Sequence, residues 1–586
     1  MACRLLTTLV SWVLTLQVMA QYDLYVSLLE DGTLEETVDL ITEKAHHSVR
    51  SMKVNGPING TDMMFIRDMC GVRDLDTPTD GQLRILDLTD AYVVESPAVY
   101  LSMYGVDFTT QDSHFGSGFL YNCQQLEKVF LPMGINSIDT LAFAMCSSLK
   151  EMMIPDGVTH IGYGAFYGCS NLHYLSIPDL VSDVEEGAFQ YMDNLEELSL
   201  GDAVASLDNA AILGDKRLQI INLGNRFKDY SPVMFYNAPS LSYVNVTPGN
   251  PYYCSLDGVL FSFSKDSLMV FPPVSPLTNY EVPEEVRHIS PYAFCNASKL
   301  RSVVMPDSML VIDTLAFYGC SSLSDIQLNE GLKALRLGAF ANTVGEASSL
   351  AEISLPSTVD EIDGGAFLFQ TANIRVSEQN EHYASDDSGI LYDKEKTVVC
   401  HVPCVISQLE LAQTVDSVAP YAFAGTSVPV VYLCDQVKHI GNGAFLCATS
   451  HQITLGYGIE DIGEWIVDGC AQLKSLYCFA SPKDNLMAAE AFYDHSGNVG
   501  RQCVLYVLPG NTNVFMQKKG FADADGNSYF SAVREMDGAD DIRTAERHGV
   551  SSGLVYDLKG QVIPTSQKGV RIVVLPDGKG IKTIER

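Results

Sequence analysis

The sequence is short of positive charge, of tryptophan and of long apolar runs. Lysine and arginine number 37 against 72 aspartates and glutamates, a formal charge of −35. Such a balance repels nucleic acid and anionic lipid, so neither is an expected partner. Only two tryptophans occur, and Trp12 falls within the first twenty residues. Sugar-stacking platforms lean on tryptophan, so a protein ligand is expected slightly ahead of a glycan. Beyond the first twenty residues no stretch reaches the roughly 18 uninterrupted apolar residues of a membrane-spanning helix, and none is expected. There is no Cys-x-x-Cys pair, no His/Cys cluster at metal spacing, no Gly-x-Ser-x-Gly elbow, no His-Glu-x-x-His and no phosphate-cradling loop. No catalytic residue, metal ligand or cofactor is therefore assigned, and the chain is not expected to be an enzyme.

What is present begins with an export signal. Arg4 precedes an apolar run from Leu5 to Val18, and Ala20 stands before the polar Gln21. Residues 1–20 read as a secretory signal peptide cleaved after Ala20. Cys3 lies inside that segment and no cysteine sits at the cleavage point, which argues against a lipid anchor there. The expected location is secreted or associated with the outer surface.

The rest is governed by one period. Leu126, Leu149, Leu172, Leu195, Leu218 and Leu241 fall 23 residues apart without a slip. Phe143, Phe166, Phe189, Ile212 and Phe235 keep the same step, and the Ala-Phe pair returns at Phe294, Phe317, Phe340, Phe367, Phe423, Phe445 and Phe492. One repeat runs from Leu149 through Met152 and Ile154 to Pro155, then Val158, Ile161 and Gly162, then Ala165, Phe166 and Cys169. The first part alternates as a half-buried strand that proline stops; Val158 and Ile161 form a second short extended piece. Gly162 permits a turn, and the spacing of Phe166, Cys169 and Leu172 is that of a tight helical turn. A unit this small cannot bury its own apolar face and must stack on its neighbours.

These repeats resemble the BspA-like leucine-rich repeat family of Bacteroidetes surface and secreted proteins. The resemblance implies a right-handed leucine-rich-repeat solenoid, mainly short β-strands with helical turns in 23-residue coils, and a role in surface adhesion or binding of host proteins. Ile212 departs from the pattern, as does the stretch Trp465, Ile466, Val467 in place of Gly-Ala-Phe, where Trp465 takes a position expected to be internal. Residues 21–114 read as an N-terminal cap region and 115–502 as repeats, with hairpin insertions near 247–275 and 377–405 that extend the sheet. Residues 503–536 close the array, 537–550 are a polar linker, and 551–586 resemble the small β domain that Bacteroidetes use to sort exported proteins, which implies contact with a secretion machinery. Asp523, Asp525 and Asn527 read as a turn rather than a calcium loop.

Cys146, Cys169, Cys320 and Cys470 each follow the phenylalanine slot by three residues. Side chains that recur at one coil position run parallel and point the wrong way for a disulfide, so free buried thiols are expected. Glu127, Glu151 and Glu197 lie on successive strands, but strand faces carry charge for solubility far more often than for catalysis. The outward strand positions are the large surface left for function. They carry Phe130, Met153, Tyr174, Tyr243, Val304, Tyr432 and Tyr477, and aromatics and methionine on an exposed sheet suit binding. The leading expectation is an exported surface protein that binds an extracellular protein or glycan there. A structural surface or matrix spacer is the alternative, and a glycan-active enzyme stands third.

Overall fold

The computed structural model describes residues 22–103, 105–406, 409–480, 486, 488, 490–516, 520–521 and 528–536, with the backbone of four strands between 555 and 585. The segments read as a signal peptide (1–20), as a linker (537–550) and as a turn at Asp523 lie outside the described residues. The chain divides into two compact units, Met1–Pro276 and Leu277–Arg586.

Unit 1 opens with a mixed region that feeds directly into the repeats. It runs β1 (Leu24–Ser27), α1 (Leu34–Thr42), a 3₁₀ turn at His46–Ser48, β2 (Ser51–Ile58), α2 (Gly60–Met69), β3 (Ile85–Val93), β4 (Ser96–Met103) and β5 (Val106–Thr110). Helix α2 starts where a capping box dictates: the Asn59 side chain accepts from the Thr61 and Asp62 amides, and Asp62 accepts from the Asn59 amide. Strands β1, β2 and β3 are parallel, and β3 then pairs in parallel with the first repeat strand, β7 (Lys128–Phe130). The cap is thus continuous with the sheet it closes, through Leu83, Leu86 and Leu88, all fully buried.

The first coils each contribute two short strands, and in those starting at Leu195 and Leu218 the second is reduced to the isolated bridge between Ser206 and Asp229. One series is β6 (His114–Phe115), β8 (Ser137–Ile138), β10 (His160–Ile161) and β12 (Asp183–Val184), all parallel. The other holds β7 and β9 (Glu151–Met153), followed by β11 (Tyr174–Ser176), β13 (Glu197–Ser199), β14 (Ile220–Leu223) and β15 (Tyr243–Val246). Between the strand series lies a third ladder made without regular strands. The amide of Phe143 donates to Ala165 O at 2.8 Å and that of Phe166 to Ala188 O at 2.9 Å. In unit 2 the amides of Phe294, Phe317 and Phe423 repeat the bond to Ala316, Ala339 and Ala444. Backbone groups that a turn leaves open are therefore paired coil to coil.

The turn around most of these phenylalanines is not a helical one, although Phe235 lies in the short helix Pro232–Tyr236. Residues two before and two after the slot are left-handed: Gly164 and Gly168 around Phe166, Leu141 and Met145 around Phe143, Tyr292 and Asn296 around Phe294. Gly162 has ordinary backbone geometry; a Cβ there would stand 2.5 Å from the Thr140 amide nitrogen, so the glycine serves coil-to-coil approach rather than the turn. Trp465 is half-buried on the left-handed position before Val467, and its Nε1 donates to Glu490 Oε2 at 2.7 Å. It is not internal, because the internal slot of that coil belongs to Val467.

The leucine and phenylalanine ladders form the core. All six leucines from Leu126 to Leu241 are fully buried. Phe115, Phe143 and Phe166 stack with centroids 4.9 and 5.4 Å apart, and Phe294, Phe317, Phe340 and Phe367 continue the motif in unit 2 at 4.7 to 5.9 Å. The described cysteines are free thiols. Those at the repeat position donate to the preceding coil: Cys146 Sγ to Leu120 O, Cys169 to Phe143 O, Cys320 to Phe294 O and Cys470 to Phe445 O, at 3.0 to 3.1 Å. Burial raises the pKa of Cys169, so the thiol is protonated and available as a donor.

Both insertions are antiparallel hairpins. In unit 1, β16 (Tyr253–Leu256) turns at Asp257 and Gly258 into β17 (Val259–Ser262), which pairs with β18 (Ser267–Val270). In unit 2, Tyr383–Ser385, Leu391–Asp393 and Val398–His401 form the same meander, whose last strand joins the short-strand series in parallel at Ser417 and Val418. Among the described C-terminal backbone, Gly569–Val574 pairs antiparallel with Gly580–Glu585 and with Val555–Tyr556.

Candidate binding surface on the outward strand face

A strand three residues long turns its middle residue to the core and its outer two to the other face. The outward face of unit 1 therefore consists of two columns that cross the strands. In one, Ile85, Lys128 and Glu151 stand in register; in the other, Asp87, Phe130 and Met153. Farther along, Tyr174, Glu197, Ile220 and Tyr243 form one column and Ser176, Ser199, Asn222 and Asn245 the other.

Three of the expected residues come together. Phe130 and Met153 are direct register partners, and Tyr174 follows on the next coil one column across. Met153 is 77% exposed and Tyr174 62%, while Phe130 is half-buried with Lys128 Nζ 5.0 Å from its ring centroid. The Tyr174 hydroxyl donates to Glu196 Oε2 at 3.3 Å. Its pKa is raised, chiefly by the charge of Glu196. The other expected residues stand apart. Tyr243 lies three strands from Tyr174 and packs against Gly258 at the hairpin turn. Val304 and Tyr432 are half-buried in unit 2. Tyr477 does not face solvent: it is 6% exposed and stacks on Tyr506, 4.6 Å between centroids. Its register partner on one side is Tyr506 and on the other Thr454, itself buried, so the alternation that turns a residue outward does not there turn it to water.

The carboxylates on this face are tied to neighbouring strands. Glu127 bonds Lys150 at 2.7 Å and Arg84 at 3.1 Å, Glu151 bonds Lys128 at 2.6 Å, and Glu197 accepts from Asn222 at 2.7 Å. The hydrogen bond from Lys150 lowers the Glu127 pKa and that from Lys128 lowers the Glu151 pKa. These exposed pairs are worth little stability, but they frame the apolar residues with alternating charge.

The sequence reading missed that the cap extends this face. Asp87 is the register partner of Phe130, and Lys53 lies 3.5 Å from its carboxylate. Burial raises the Asp87 pKa, but bonds from the Tyr22 hydroxyl at 2.6 Å and from Thr89, together with Lys53, outweigh it and hold the carboxyl below its ordinary range. A signal existed: Leu83, Leu86 and Leu88 have the spacing of Leu126, Val129 and Leu131, which places Asp87 where Phe130 stands. Among the described residues no helix is long and apolar enough to cross a membrane.

No curated protein matches the sequence. Among solved structures, the chain is similar to a leucine rich cell surface protein of Faecalibacterium prausnitzii, with 20% identity, 74% of this chain and 80% of that one covered, and a TM-score of 0.36. It is also similar to a leucine-rich repeat protein of Bacteroides ovatus, with 18% identity, 69% and 88% covered, and a TM-score of 0.35. A third is the pneumococcal vaccine antigen PcpA, at 16% identity, 83% and 80% covered, and a TM-score of 0.30. Six copies of the BspA type leucine rich repeat region match residues 113–247, 269–382 and 400–497, more than half of the 586 residues. The chain belongs to the BspA-type leucine-rich repeat family.

Proposed function

We propose that this chain is an exported surface protein that binds an extracellular protein through the outward strand face of unit 1, centred on Phe130, Met153 and Tyr174. The observation that carries the reading is their adjacency. Isolated apolar residues on a surface are ordinary. Two register partners some 5 Å apart and an exposed tyrosine on the next coil make a small apolar centre, rimmed by Lys128, Glu151 and Glu196. Tyr243 and Tyr432, on outward positions of other coils, are proposed as secondary contacts. Residues 551–586 are proposed to sort the exported chain to the surface.

The test is retention on an array of extracellular proteins printed beside an array of glycans. The chain from residue 21 should retain proteins. A Phe130→Ser, Met153→Ser, Tyr174→Ser variant should unfold at the same temperature and lose retention at least a hundredfold, as hot-spot truncation does. Undiminished retention by the triple variant would remove the proposed site. Self-association with no retention would favour the spacer role.

A further inference from the structure

The cap of unit 1 holds a cluster that the binding face does not use. His46 and His47, on the 3₁₀ turn after α1, direct their Nε2 atoms at each other, 3.1 Å apart. Asp68, near the end of α2 and 7% exposed, brings a carboxylate oxygen to the same point; one donor atom from each of the three residues lies within 4.8 Å of the others. We propose that His46, His47 and Asp68 bind a divalent cation of the zinc class, which pins the 3₁₀ turn to α2.

Four observations converge. Two nitrogens on one such cation, each at about 2.0–2.1 Å, stand about 2.8–3.4 Å apart for angles between octahedral and tetrahedral. The observed 3.1 Å falls inside that interval. Second, Asp39 of α1 takes the Nδ1 of His46 at 2.5 Å. A carboxylate behind the ring fixes the tautomer with Nε2 unprotonated, which is how metal-binding histidines are held. Third, Arg73 Nη2 holds Asp68 Oδ1 at 2.8 Å and orients the carboxylate from behind. Fourth, the surroundings are semi-enclosed. Phe65 and the His46 ring pack in a T-shaped pair with centroids 5.3 Å apart, and the His46 side chain is 15% exposed. Two imidazoles and one carboxylate suit zinc and its late first-row neighbours, and fit calcium or magnesium poorly because those take oxygen ligands.

A second histidine and carboxylate cluster provides an internal control. His160, Asp183 and Glu185 also come within 4.8 Å of one another. There the side chains of Asp183 and Glu185 are 66% and 43% exposed, and Asp183, itself one of the three donors, is bonded directly to the histidine Nδ1 at 2.8 Å. That arrangement is a surface ion pair.

The chain is prepared without a histidine tag, equilibrated with zinc chloride, freed of unbound metal, and its metal content measured; cobalt chloride serves as the spectroscopic probe. The expected result is one zinc per chain, a higher unfolding temperature with zinc than with chelator, and visible cobalt absorption. His46→Gln and His47→Gln should each reduce retention at least tenfold, while His160→Gln leaves it unchanged. Asp39→Asn, which spares every ligand, should weaken zinc binding between tenfold and a hundredfold in a chain of unchanged circular dichroism. The proposal is overturned if the folded wild-type chain retains no zinc, if retention survives His46→Gln and His47→Gln, or if it is lost with His160→Gln instead.

Discussion

The ring of Tyr191 lies on Gly214, so that a Cβ on the glycine would stand 2.5 Å from the tyrosine Cδ1. Both residues are left-handed, and both stand two positions after the core slot of their coil. The pairing recurs with Met145 over Gly168, Leu315 over Gly338 and Tyr421 over Gly443. In each of these pairs a large side chain on one coil lies over a glycine on the next.

Gly214→Ala should therefore destabilise the chain by about 2–3 kcal/mol, combining a left-handed alanine with overpacking against a ring. The double change Tyr191→Ala, Gly214→Ala should recover at least 0.5 kcal/mol of coupling, measured by urea unfolding of the four members of the cycle. Additive single effects would show that the ring contact carries no weight.

Sequence periodicity made the core legible because burial is what repeats: Leu149, Phe166 and Cys169 are all fully buried, as are the leucines in register with Leu149 from Leu126 to Leu241. The left-handed positions were not legible, since Leu141, Met145 and Tyr191 occupy them as readily as Gly164 and Gly168 do. Such a residue is tolerated when the neighbouring coil supplies space, and that depends on a residue 23 positions away. The outward face was read correctly as a set of positions, yet Tyr477 is buried, because strand alternation says which way a side chain points and not what lies in front of it. Residues 21–114 are set apart by the absence of the period, but the helix start at Asn59 and the cluster of His46, His47 and Asp68 arise from contacts no repeat announces.

Asp215 fills the coil position that holds cysteine in other repeats. Its Oδ1 accepts from the Met192 amide at 2.7 Å, while the buried Oδ2 has no hydrogen-bond partner. Burial pushes its pKa up to about 9. The folded chain thus keeps a proton that the unfolded chain releases near pH 4, so stability falls as pH rises from about 4 to about 9. Asp215→Cys should flatten that decline and raise stability at pH 8 by about 1–3 kcal/mol. A parallel pH profile for the two proteins would contradict the assignment.

His401 continues the aromatic stack of unit 2, 5.6 Å from Phe367, and its Nε2 is buried without a partner. Burial lowers its pKa to about 3. The unfolded chain takes up a proton below about pH 6.5 while the folded chain refuses it, so stability is lost as pH falls from about 6.5 towards 3. His401→Phe keeps a ring in the stack and removes the unpaired nitrogen. It should hold stability on the acid side, seen as a smaller drop in unfolding temperature between pH 7 and pH 4.5. An unchanged acid limb would place the titration elsewhere.

The open end of the stack makes the last prediction. In the coil-to-coil ladder the amides of Leu120 and Asn122 donate forward to Ala142 O and Ala144 O, so the matching carbonyls of the first coil, Phe119 and Tyr121, have no coil before them. Arg67, fully buried on α2, supplies the missing donors. Its Nη1 bonds Gly118 O, Phe119 O and Tyr121 O at 3.0 to 3.1 Å; Nε bonds Arg73 O at 3.1 Å, and Nη2 bonds Asp74 O. One guanidinium thereby converts an open ladder into a closed one with its charge spread over carbonyl dipoles. Arg67→Met preserves length and packing but strips the donors, and should cost about 3–5 kcal/mol as an interior network with one partner removed. Arg67→Lys keeps the charge with fewer and differently placed donors and should fall between. If the cap then opens ahead of the repeats, urea unfolding splits into two transitions, the first lost on deleting residues 22–110. An Arg67→Met chain within 1 kcal/mol of wild type would show that solvent satisfies those carbonyls and that the cap closes the stack by apolar contact alone.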